Sequence, residues 1–152
     1  MKRKTVIIGG NGYRIHKLPA VAAKEYMDKP DVVSLMAAVS VHVGNQWVAL
    51  DDESAINAHV PSWEVLVALE KEVKDFNFAF LKGWVFRRAP TSGVSSIEPR
   101  YFDSFFFALT DGGCATYAEL KTVYDLEDAF KMLDGLITKR INEHYAMKAA
   151  GR

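Results

Sequence analysis

The stretch from Val32 to Asn77 constrains the fold more than any other, because its periodicity switches between helix and strand. Val32, Leu35, Met36 and Val39 follow a helical stripe, yet Val39, Val41 and Val43 alternate with Ser40 and His42 at the strand period. Gly44-Asn45 then supplies a tight turn, and Gln46-Trp47-Val48-Ala49-Leu50 continues as a second strand. We read a helix to about Ala38, followed by a short hairpin. Asp51 and Asp52 supply an N-cap for a brief helix to about His59. Pro61 opens a long helix ending near Gly83, in which Leu66, Leu69, Val73, Phe76 and Phe80 recur at three- and four-residue steps. This order describes a scaffold for binding rather than a pocket for chemistry.

The flanks extend the same logic. Thr5–Ile8 and Tyr13–His16 are β-branched and aromatic runs around Gly9-Gly10-Asn11-Gly12, and Asn11-Gly12 is a strong hairpin signal. Leu18-Pro19 ends the strand and opens a helix from Ala20 to about Lys29, which stops before Pro30. Asp31 can cap the next helix. Arg87 to Pro99 holds proline, glycine and serine without periodicity and reads as a linker. Beyond it, Tyr101-Phe102 and Phe105-Phe106-Phe107 fall in a short helix that ends at Asp111-Gly112-Gly113. Thr116 to Glu119 has the form of a capping box. Asp125 starts a last helix with Leu126, Phe130, Leu133, Ile137, Ile141 and Tyr145 on one face. The expected fold is therefore α+β and mostly α. It has an N-terminal β-hairpin, a second short hairpin, about five to six helices, and a long amphipathic C-terminal helix. Residues 1–86 form a hairpin-plus-helices domain, 87–99 the linker and 100–152 a C-terminal helical subdomain.

The chain has 152 residues and a formal net charge of zero, so no overall field draws it to nucleic acid or anionic lipid. Its charge is unevenly placed. Lys2, Arg3, Lys4, Arg14 and Lys17 precede any acidic residue, whereas Asp51 to Asp75 is rich in carboxylates. The basic start suits either an acidic partner or an edge hairpin guarded against sheet extension. Cys114 is the only cysteine, which excludes an internal disulfide. The longest mostly apolar stretch, Val32 to Val43, is too short for a membrane span of about 20 residues. With no leader-like N-terminus, a cytoplasmic location is expected.

No motif carries chemistry. The glycines at 9, 10 and 12 lack the Gly-Lys-Ser/Thr of a phosphate loop. His16, His42, His59 and His144 are scattered, with no ligand spacing for zinc. Neither metal nor cofactor is expected, and no catalytic residue set is recognised. The aromatic residues are more suggestive. Phe76, Phe78, Phe80, Trp84 and Phe86 recur at short steps that one helical face cannot hold, and Phe105, Phe106 and Phe107 surround theirs. Either some of these eight residues form a protein-binding surface, or the two groups pack on each other across the linker.

The pattern resembles the tail assembly chaperones of long-tailed bacteriophages. The similarity rests on the basic hairpin, Leu18-Pro19-Ala20 opening a helix, and Ala37 to Val41 passing into a glycine turn. It continues through the acidic cap and a leucine-spaced helix ending in Asn77-Phe78. Ala115 to Asp128 is also similar to the small partner reading frames that accompany such chaperones. The resemblance implies a late protein of virion morphogenesis in the host cytoplasm that binds the tape-measure protein and tail-tube subunits and can form homo-oligomers. The alternative is a small regulatory or nucleic-acid-binding adaptor using the basic hairpin.

Overall fold

The computed structural model describes residues 2–90 and 97–151. Its strands are β1 (Arg3–Ile8), β2 (Asn11–His16), β3 (Val39–Val43) and β4 (Gln46–Ala49). Its helices are α1 (Ala20–Asp28), α2 (Val32–Met36), α3 (Glu53–His59), α4 (Trp63–Phe78), α5 (Ser104–Asp111), α6 (Tyr117–Thr122) and α7 (Leu126–Ala149). A 3₁₀ turn, Ala79–Leu81, continues α4. The α+β, mostly α reading holds, with the long C-terminal helix in place.

The two hairpins merge into one antiparallel sheet of order β1-β2-β3-β4. Tyr13 pairs with Val41 and Ile15 with Val39, which joins the hairpins and lines up their apolar residues on one face. The first turn differs from expectation: Ile8 pairs with Asn11, so Gly9-Gly10 turns the chain and Asn11-Gly12 lies in β2. Both turn glycines take positive φ, 57° and 82°. A two-residue hairpin of this type wants positive φ at both positions, and two glycines meet that demand better than Asn-Gly. At the second turn only Gly44 has positive φ.

Capping sets the helix starts. Asp31, Asp52, Ser62, Asp103, Thr116 and Asp125 each accept a backbone N–H in the first turn that follows. Thr116–Glu119 and Asp125–Asp128 are reciprocal capping boxes. Two starts fall later than expected. Ser62 caps α4, so Pro61 precedes the helix, and Asp103 caps α5, which leaves Tyr101 and Phe102 outside it.

α4 buries Val65, Leu69 and Val73 against Tyr13, Ile15, Val39 and Val41 of the sheet and Leu35 and Met36 of α2. Each such aliphatic side chain contributes roughly 1.5–3 kcal/mol on burial. A second cluster joins Ala20 and Val21 of α1 to Phe106, Leu109, Leu120 and Ala129 of α5, α6 and α7. α1 therefore lies between two cores, and its small side chains let helices close in from both sides. Gly112 allows a similar approach, since a Cβ there would meet Leu136 Cδ1 of α7 at 2.6 Å. Residues 87–90 and 97–99 of the expected linker run without helix or strand, and 91–96 lie outside the described residues. The helices beyond the linker pack directly on α1 and α4.

Two buried polar groups have opposite standing. Asn77 accepts the Leu18 N–H at 2.7 Å and donates to the Val73 carbonyl at 3.0 Å. The Tyr13 hydroxyl is buried and meets no partner among the described groups. Asn77→Ala should cost about 1–3 kcal/mol by orphaning the Leu18 N–H, whereas Tyr13→Phe should stabilise by about 1 kcal/mol. Urea unfolding of both variants checks this pair. Equal losses would contradict the assignment.

Candidate protein-binding surfaces

The eight aromatic residues expected at a protein-binding site do not form one exposed patch. Phe80, Trp84 and Phe86 meet Phe130 of α7 at ring-centroid distances of 5.3, 5.7 and 5.1 Å. Phe105 of α5 reaches the same ring at 5.2 Å. Phe130 is thus the hub of an aromatic seam between the end of α4 and the C-terminal helices. Edge-on and tilted contacts of this kind add about 0.5–1.5 kcal/mol per pair beyond area burial. Phe78 points elsewhere and stacks on Tyr26 of α1 at 5.6 Å. Phe76 lies under the Lys4 and Lys17 ammonium groups, each 5.2 Å from its ring. Phe106 is buried, and Phe107, at 42% exposure, is the member of the set that faces solvent most openly. Packing across the linker thus takes up Phe80, Trp84, Phe86 and Phe105, four of the eight.

The basic N-terminus is largely committed as well. Lys2 reaches Asp125 and Asp128 at 3.2 and 3.4 Å, both on the first turn of α7 or its cap. Burial alone would lower the Lys2 pKa, but the hydrogen bond and charge of Asp125, helped by Asp128, outweigh it and hold the ammonium above its ordinary range. Lys4 pairs with Glu72 of α4 at 2.6 Å. Lys17 is buried and pairs with Glu127 at 3.4 Å, with the Phe76 and Phe80 rings beside it. Glu127 is held below the ordinary glutamate range, first by a hydrogen bond from Lys131 and then, against burial, by the charge of Lys17. Arg14, on the outer sheet face, lies 4.0 Å from the Trp47 ring, which also packs on His42.

An open groove of about 860 Å³ lies between α1, α2 and the end of β2. Leu18, Pro19, Ala22, Ala37 and Ala38, with Tyr26, make up the apolar part of its lining. His16, Glu25, Lys29 and Asp31 stand around it with both signs of charge. Small residues leave the space open, and the sequence carries no sign of this, since the lining is drawn from α1, α2 and the end of β2 together. Its volume is within the range of ligand-binding clefts.

Cys114 shares a shallow cleft with Thr110, Tyr117 and Glu119. The Glu119 carboxylate is occupied by the Thr116 N–H and hydroxyl, both at 2.8 Å. Those bonds hold it below the ordinary range and make it a poor base for a thiol. Among the described residues no group of three or more His, Cys, Asp and Glu could hold a metal, and no helix is long and apolar enough to cross a membrane. Compared with protein-family models, curated proteins and solved structures, the chain finds no match.

Phe130→Ala should cost about 3–5 kcal/mol in urea unfolding, whereas Phe107→Ala should stay within about 0.5 kcal/mol. Comparable losses would contradict the seam. Because the Glu127 pKa is depressed on folding, its contribution is present at neutral pH and lost as pH falls below about 4.3. Glu127→Gln should therefore be less stable than wild type at pH 7 by up to about 1 kcal/mol, and the gap should narrow as pH falls below about 4.3. A gap that widens as pH falls would contradict the sign.

Proposed function

We propose that the protein is a non-enzymatic assembly chaperone of a long-tailed bacteriophage. It holds an apolar helical segment of the tape-measure protein and presents it to tail-tube subunits during tail morphogenesis in the host cytoplasm. The groove between α1 and α2 carries this reading, being open, apolar in part of its lining and charged around it. A tape measure is a long helix with exposed apolar stripes, and a groove of this kind suits one turn or more of such a helix. Alanines in the lining leave room for the partner's larger side chains, and the mixed charges around it can select orientation. Helices α6 and α7 support the reading indirectly, because they pack on the groove-bearing helix α1 and back it.

The adaptor reading draws on Lys2, Arg3, Lys4, Arg14 and Lys17, of which the three lysines already face carboxylates of the same chain and Arg14 lies against the Trp47 ring. Binding phosphate through the lysines would require breaking those pairs, which favours the protein-binding reading.

Ala22 lies on the groove side of α1 and is half-buried, so Ala22→Trp should fill the groove with little effect on folding. Co-expressed with the tape-measure protein of its own phage, the wild-type chain should co-purify with it, and the Ala22→Trp chain should lose at least about 90% of that capture. Equal capture by a folded Ala22→Trp variant would remove the groove from the account. Absence of capture by wild type would remove the function.

A further inference from the structure

α7 runs for 24 residues, a length of about 36 Å, but only its first half is clothed by the rest of the chain. Leu126 and Ala129 are buried, Phe130, Leu133 and Ile137 are half-buried, and every residue from Asn142 to Ala149 is exposed. The apolar stripe does not stop where the clothing does. Ile137, Ile141 and Tyr145 continue it at four-residue steps, and Tyr145 is 64% exposed. Asp134 and Lys148 lie seven residues to either side of Ile141, so they share its face of the helix. Among the described residues neither belongs to an ion pair.

We propose that this part of α7 packs antiparallel against the same part of a second copy, about a two-fold axis at Ile141. The axis sets Ile141 against its own copy and Ile137 against Tyr145 of the copy, so the uncovered stripe closes on itself. It also sets Asp134 opposite Lys148 of the copy, twice over. That charge match selects the occupant and the register. A parallel pair would face Asp134 with Asp134 and Lys148 with Lys148. An axis one turn later, at Tyr145, sets Lys148 opposite Asn142, and one turn earlier the copy runs into the half of α7 that α1 and α5 cover. A self-complementary patch is what a two-fold interface requires. Three turns of paired helix bury less than a standard interface, which makes the dimer weak and concentration-dependent. The pairing leaves the α1–α2 groove open and does not depend on what that groove holds.

A residue on a two-fold axis cross-links to itself, so cysteine placement reads the geometry directly. In a Cys114→Ala background, Ile141→Cys should form a disulfide-linked dimer under mild oxidation, whereas Glu143→Cys, on the opposite helix face, should not. Sedimentation of the uncross-linked protein gives the second reading. Asp134→Lys should weaken the dimer about tenfold, and adding Lys148→Asp should restore it to within about threefold. These positions are exposed or half-exposed, and circular dichroism of each variant verifies the fold. A wild-type chain that stays monomeric at about 0.5 mM would overturn the proposal. So would equal cross-linking at 141 and 143, or a double charge swap no better than the single one.

Discussion

The corner at Leu18 is the constraint on which the rest of the architecture depends. There the chain leaves the sheet and enters α1, and Pro19 takes an extended φ/ψ that no helix can continue backward through. The Leu18 N–H is left inside the protein and needs a partner. The Asn77 carboxamide, at the far end of α4, supplies it. One buried hydrogen bond thus fixes the end of the long helix relative to the start of the next layer. Where α4 ends decides where Phe78, Phe80 and Trp84 point. Immediately before the corner, Lys17 carries a positive charge into the same junction, where Glu127 and two aromatic faces receive it. Apolar burial supplies most of the stability, but these polar contacts select which packing is used.

Local signals were well read where the determining atoms lie close in sequence. Asp31, Asp52, Thr116 and Asp125 cap as their spacing predicts, because an N-cap needs only the next three residues. The Gly9-Gly10 turn is not legible locally, because two glycine-bearing dipeptides compete within four residues and the β1–β2 register decides between them. That decision belongs to the sheet, since a shift would move Tyr13 and Ile15 off the apolar face.

The aromatic residues show the complementary limit. Their excess over one helical face was legible in the spacing, but their partner was not. Phe130 comes about fifty residues after Phe80, and nothing in either segment announces the contact. The groove was less legible still. It is made by alanines and a proline, and it is defined by what those side chains do not fill. The uncovered half of α7 lay between these extremes. The continuous stripe through Ile141 and Tyr145 was visible, whereas the point at which the chain stops covering it required the fold.

Sheet, α4 and the helices beyond residue 100 should unfold as one cooperative body joined at the Leu18–Asn77 corner and the Phe130 seam. Native-state hydrogen exchange in graded urea tests it most directly, because it resolves local from global opening. The amides of Leu18 in the corner and Ala129 in α7 should share one opening free energy, equal to that of global unfolding. Ala129 exchanging through a distinctly cheaper opening, while Leu18 stays protected, would contradict it.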